Sequence, residues 1–139
     1  MNVQTVELII RSNGYCDVID ITGLVSDAVG KSELDSGTVT VFVPGSTAAV
    51  TTIEYESGAI SDFKSAIERI VPEDLTYAHD ARWGDGNGFS HVRAAMLGPS
   101  LCVPFNQRRI LLGTWQQIVF VDFDNRPRNR NIVLQLVGS

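Results

Sequence analysis

The last third of the chain does most to narrow the folds open to it. The runs SLCVPF, RILLG, QIVFVDF and NIVLQLV are rich in β-branched and aliphatic residues and read as strands, separated by turns at NQR and DNRPRN. A parallel crossover takes a dozen or more residues, so connections this short predict antiparallel neighbours. Upstream, VQTVELIIR and CDVIDIT read as two strands around Asn13-Gly14, a strong hairpin signature. Thr22 is placed to cap a helix through GLVSDAVGK, with Leu24, Val25, Ala28 and Val29 on one face. GTVTVFVP is a strand stopped by Pro44, and AAVTTIEYE is its expected partner. Phe63, Ile67 and Ile70 then recur at helical spacing from Ile60 until Pro72 ends the pattern. HVRAAML is a short helix candidate. The order predicts one α+β domain over residues 1–139. It has two layers, a predominantly antiparallel sheet with the helices from about Thr22 and Ile60 packed on one face.

A chain of 139 residues with 44% apolar and 19% charged side chains can bury a core without covalent staples. Cys16 and Cys102 accordingly read as two buried free thiols, not as a disulfide or a catalytic pair. No apolar run reaches the roughly 18 residues of a membrane span. The N-terminus lacks a basic n-region, so no signal peptide is expected and the predicted location is the cytoplasm. The net charge of −5 hides an asymmetry, because most acids fall before residue 81 and most of the basic residues after it. Arg108, Arg109, Arg126, Arg128 and Arg130 crowd the C-terminal part. Arginine forks suit oxyanions, yet in these turns they read as solvated side chains. No basic stripe interleaves with aromatics, which argues against nucleic-acid binding.

Chemistry concentrates in RWGDGNGFSH, residues 82–91. Glycine loses the most conformational freedom on ordering, so three glycines this close mark a backbone that must turn or approach something closely. A calcium loop starting at Asp85 is excluded, because Phe89 and Met96 fall where the fifth and twelfth ligands belong. No phosphate-binding P-loop pattern occurs. What remains is His79, Asp85, Asn87 and His91 in one short stretch, four groups able to bind a metal or move protons. Each His alone reads as a structural hydrogen-bonder, but both histidines of the chain lie here. His91 stands where a helix begins, near its positive end. In PGSTAAVTTIEYE, Pro44-Gly45 breaks the strand, and Ser46 and Thr47 offer hydroxyls beside free amides. That is a workable anion site or a plain turn. Glu54, on the strand behind, is costly to bury without a partner and otherwise faces water.

FVPGSTAAVTTIEYESG, DGNGFSHVRAAMLGPSLCVPF and LLGTWQQIVFVDFDNRPRNRNIVLQLVG together resemble the YjbQ family, also described as the secondary thiamine-phosphate synthase family, over essentially the whole chain. The resemblance implies a compact α+β subunit, a homotrimer with a site near subunit boundaries, and a weak thiamine-phosphate synthase activity in some members. By position, Glu54 matches the family's glutamate after the Ser-Thr turn, and His79 the histidine ahead of the loop. Asp85, Gly86 and Asn87 match the DGN core, and His91 the histidine opening the short helix. Arg93 falls at a basic position just after it, and Trp115 and Gln116 belong to GTWQ. Many relatives carry His where this chain has Gly45, and others at Gly84 or Phe89. Here the metal signal rests on His79 and His91 alone.

Three functions are consistent with these residues. The first is an enzyme on a phosphorylated small molecule, resembling a thiamine-phosphate synthase-like transferase. Its catalytic residues would be Glu54, Asp85 and His91, its anion donors Ser46, Thr47 and Arg93, and its lining Asn87, Trp115 and Gln116. The second is a metal-dependent hydrolase, with His79, His91 and Asp85 on the ion and Glu54 as base. The third is a non-catalytic metabolite-binding trimer. A weakly bound divalent ion, magnesium or zinc, is expected in the first two. The expected partners are further copies of the chain and a small phosphorylated molecule, with neither nucleic acid nor membrane.

Overall fold

Strand alternation decides which faces meet. In the computed structural model, which describes residues 1–139, the elements are β1 (Asn2–Ser12), β2 (Asp17–Asp20), α1 (Thr22–Lys31), β3 (Gly37–Phe42), β4 (Ala48–Ile53) and α2 (Ser57–Ile70). There follow α3 (Ala78–Trp83), α4 (Gly88–Leu97), β5 (Ser100–Asn106), β6 (Arg109–Ile110), β7 (Gln117–Asp122) and β8 (Arg128–Gly138). On β8 the residues Ile132, Leu134 and Leu136 are buried while Asn131 and Gln135 are exposed. Successive side chains point to opposite faces, so such a strand can present only one face to a core. Fully burying each such aliphatic side chain contributes about 1.5–3 kcal/mol.

All strand pairs are antiparallel, as the short connections predict. They form two sheets, a five-stranded one in the order β1-β8-β3-β5-β6 and a three-stranded one in the order β2-β7-β4. The main core lies between them. It joins Val39, Val41, Val103, Phe105 and Leu134 of the larger sheet to Ala48, Val50, Ile118 and Phe120 of the smaller. Val25 and Val29 of α1 pack into the same core. On the other face of the smaller sheet, Val18, Ala49, Val119 and Val121 pack with Ile67 of α2 and Ala94 of α4. The α+β architecture thus holds, with the strands divided between two sheets and the helices between two cores. No helix is long and apolar enough to cross a membrane.

Several local expectations are corrected. Asn13-Gly14 does turn the chain, but β1 pairs with β8 and β2 with β7, so the turn passes the chain from one sheet to the other. Gly14, Tyr15 and Cys16 take positive φ of 74°, 52° and 64° in succession, which swings β2 out of the plane of β1. β3 and β4 are likewise not partners; β3 lies between β8 and β5, and β4 pairs with β7. Thr22 opens α1 without capping it, because its hydroxyl accepts the Ile118 N–H at 2.8 Å. Helix α2 begins before Ile60, where the Glu56 carboxylate accepts the Ala59 N–H. Of RILLG only Arg109–Ile110 is strand. Cys16 is buried as expected, but Cys102 is exposed on the outer face of β5.

Candidate functional site

Residues 78–97 fold into two helices that meet at a corner, and each glycine of the loop has a place there. Gly84 ends α3 in the left-handed region at φ 73°. Gly88 opens α4, where a Cβ would sit 2.5 Å from the Tyr77 Cβ, so only glycine allows the two segments to close. The Gly88 N–H donates to Asp80 Oδ1 at 2.8 Å, supplying the acceptor that helix start needs. Helix α4 therefore starts one turn before His91. The corner brings the rings of His79 and His91 to 4.4 Å between centroids, tilted by 44°. His79 Nδ1 is buried with no hydrogen-bond partner and lies 3.5 Å from both Asp80 Oδ1 and Asp85 Oδ1.

The opposite wall comes from the Pro44–Thr47 turn and the β7–β8 connection. Asp122 and Asp124 alternate along one side of that connection, and Arg128 and Arg130 return along the other. Asp122 is fully buried, Asp124 nearly so, and Arg130 is 5% exposed. Arg130 Nε and Nη2 donate to the two oxygens of Asp122 at 2.8 and 2.9 Å, and Arg128 Nη1 donates to Asp124 Oδ2 at 2.7 Å. Such forked, charge-assisted bonds hold both partners to one geometry. Thr47 joins the pairs, its hydroxyl accepting from Arg130 Nη2 at 2.7 Å and donating to Asp124 Oδ2 at 3.3 Å. Burial opposes ionisation of Asp124. Hydrogen bonds from Arg128, the Asn125 N–H and Asn87 outweigh it and hold the carboxyl below its ordinary value of 3.8. The walls are tied directly, since Asn87 Nδ2 donates to Asp124 Oδ1 at 3.4 Å and Asn125 Nδ2 donates to the Asp85 carbonyl at 2.9 Å.

Between the walls is a cavity of about 430 Å³ whose lining residues include two histidines, two arginines, Asp85 and Asn87. It gathers Ser46, Thr47, His79, Asp85, Asn87 and His91, six of the residues that sequence singles out. Trp83, Arg128 and Arg130 also line it, and sequence does not single out the first as a site residue. Sequence reads these arginines as solvated turn residues, and the structure corrects this for Arg130, which its pairing with Asp122 buries. Their signal is present in DFDNRPRNR, where two acids and three arginines recur at every second residue, the spacing that keeps extended side chains on one face. Asp80 escaped notice because no motif points to it.

Four expected residues lie elsewhere. Arg93 is 2% exposed, but it is turned into the packing between α4 and α2. Its Nε donates to the Val71 carbonyl at 2.9 Å, Nη2 meets Glu68 at 2.5 Å, and its guanidinium lies over the Phe89 ring at 5.0 Å. Glu54 is exposed just past the far end of β4, roughly 20 Å from the Ser46-Thr47 turn at the rise of an extended strand. Glu54 and Trp115 line a separate depression of about 350 Å³ with Asp20 and Thr114. Gln116 is spent locally, donating to Thr52 Oγ1 and accepting the Gly113 N–H.

Comparison with known proteins places this site in a family context. A family model described as UPF0047 protein YjbQ-like matches residues 6–139. A UPF0047 protein of Methanothermobacter thermautotrophicus is 41% identical over the whole of this chain and 95% of its own. One from Archaeoglobus fulgidus is 36% identical over 93% of this chain and 98% of its own. Among solved structures, a hypothetical protein from Aeropyrum pernix K1 superposes with a TM-score of 0.90 at 29% identity, covering 98% of this chain and 99% of that one. A YbjQ-like protein of unknown function from Sulfolobus solfataricus P2 gives 0.89 at 27% identity, over 99% of this chain and 100% of its own.

Proposed function

We propose, from the premise that the chain belongs to the YjbQ-like UPF0047 family, that it is an enzyme acting on a phosphorylated small molecule in the cavity between the Pro44–Thr47 turn and the α3–α4 corner. The observation that carries this reading is the convergence in one cavity of two arginines and the turn with a close pair of imidazoles. Guanidinium and backbone donors suit a phosphoryl group, and imidazoles within reach of it suit proton transfer. His91 is the acid or base in this reading. Transfer to a nucleophile with loss of diphosphate, as in thiamine-phosphate formation, is one reaction such a cavity can serve.

The donor set beside His79 fits a divalent ion. One atom each from His79, Asp80 and Asp85 lies within 4.8 Å of the others, and the orphaned His79 Nδ1 is the buried polar atom an ion would satisfy. Asp80 replaces His91 in the expected ligand set, which leaves His91 free for proton transfer. A bound ion would supply charge stabilisation for a phosphoryl oxygen. With one imidazole and two carboxylates, the second of them exposed, binding is expected to be weak and reversible by chelators.

Assembly as a homotrimer in the cytoplasm belongs to the same proposal. The outer face of the five-stranded sheet supports it, since no element covers Val3, Ile9 or Phe42 there, at 59%, 74% and 40% exposure.

The test is a panel of phosphate esters assayed with the wild-type protein, His91→Ala and Cys102→Ala, with and without zinc or magnesium. Loss of turnover in His91→Ala, with Cys102→Ala unchanged, is expected. Binding without turnover in every condition would make the protein a metabolite-binding one. Equal and negligible effects of both substitutions on binding and turnover would remove the site assignment.

A further inference from the structure

A buried guanidinium with an idle donor stands in the wall of this cavity. Arg130 spends Nε and Nη2 on Asp122 and Thr47, while Nη1 takes part in none of these bonds. Nη1 faces Gly45, where an added Cβ would lie 3.5 Å away, and both residues line the cavity. Gly45 sits at φ 148°, a conformation that L side chains rarely adopt, so from this side only hydrogen faces that nitrogen. Nη1 is thus the one guanidinium nitrogen left open to the cavity, where an oxygen of a ligand can take the place of water as its acceptor.

The fork cannot swing away to find another partner. Asp122 is fully buried, grips both Nε and Nη2, and is itself held by the Asp124 N–H at 3.0 Å to Oδ1. Asp122 is therefore a positioning residue that aims the free edge of Arg130 at the cavity. The charges of Arg128 and Arg130 are matched by Asp124 and Asp122. An anion here is held by a directed hydrogen bond more than by a general positive field.

We propose that Arg130 Nη1, aimed by Asp122, seats one terminal phosphate of the ligand beside Gly45 and Ser46. The assignment rests on the reading of this cavity as the ligand site. It places the anion on an arginine that sequence reads as a solvated turn residue, in place of Arg93, which is occupied elsewhere. Recognition of this kind depends weakly on salt and strongly on geometry.

The probe is inorganic phosphate, titrated into the isotopically labelled full chain and followed by NMR of backbone amides and arginine side chains. The expected result is movement of the Gly45 and Ser46 amides and the Arg130 side-chain signals, with Arg93 still. Arg130→Lys, which keeps the charge and loses the fork, is expected to weaken phosphate binding at least tenfold, while Arg93→Lys changes it less than twofold. Shifts at His79, His91 and Ser46 that leave Arg130 unmoved would overturn the proposal and keep the cavity as the site. No shift anywhere in the cavity would remove both. Should Arg130→Lys fail to fold, the wild-type side-chain signals decide alone.

Discussion

Arg93 and Arg130 are buried to nearly the same degree, and their partners set them apart. Arg93 meets a carbonyl, a carboxylate and an aromatic face, with Glu73 3.9 Å from its remaining nitrogen, and it lines no part of the cavity between the two walls. Glu68 is half exposed and can be rehydrated, so Arg93→Leu leaves no stranded buried charge. Removing that arginine is expected to cost about 1–3 kcal/mol in a urea titration, below the loss for a pair buried on both sides, with phosphate affinity unchanged. Asp124 makes the opposite kind of contribution. Its carboxyl is held below the ordinary 3.8, so the unfolded chain takes up that proton first as pH falls. The stabilisation is complete above about pH 4 and is lost as pH falls through the lower native value. Urea midpoints of the wild type and Asp124→Asn should therefore converge between pH 7 and pH 3, and a constant gap would contradict this. Cys16 is a third case. Burial pushes its thiol up, with Arg93 and Lys64 only partly opposing, so iodoacetamide should spare it in the folded protein.

At the scale of elements, the α3–α4 corner is the joint on which the site depends. Gly88→Val places methyl groups where the Tyr77 side chain already lies. The expected cost is about 1–3 kcal/mol of stability by chemical denaturation. Phosphate-ester affinity should fall with it, because His79 and His91 would no longer hold their spacing; full affinity in the folded variant would show that the corner is not needed. Much of this level was legible beforehand. Runs of β-branched and aliphatic residues marked β1, β3, β4, β7 and β8, and Phe63, Ile67 and Ile70 marked α2. What stayed hidden has physical reasons. AHDARW has no buried residue, so α3 leaves no hydrophobic period to read. Pairing depends on turn direction, and the left-handed run at Gly14–Cys16 sent β2 to another sheet. The loop histidines were legible because they stand together in sequence. Arg128 and Arg130 were harder to read, because Asp122 and Asp124 face them only once the chain has turned from the smaller sheet into the larger one.

On the whole molecule, the layers leave the outer face of the five-stranded sheet uncovered, and the proposed trimer would use it. Val3, Ile9 and Phe42 stand on it, as does Cys102, whose register partner on β3 is Thr40. Light scattering is expected to give about three times the 15.2 kDa chain mass, and Ile9→Glu should lower it. Alkylation of Cys102 should be slow in the trimer and fast in Ile9→Glu. A wild-type mass near that of one chain would end the trimer reading. The β7–β8 connection has a further consequence. The partners of the anion wall, Asp122, Asp124, Arg128 and Arg130, all come from residues 122–130, while the imidazole wall comes from residues 79–91. Strand β5, and β7 up to Asp122, lie between the two stretches and contribute no residue to the cavity lining. On the proposed reading, ligand preference would be written in three short segments, these two and the Pro44–Thr47 turn, each of which can be exchanged or drift by mutation while the rest of the scaffold is left alone.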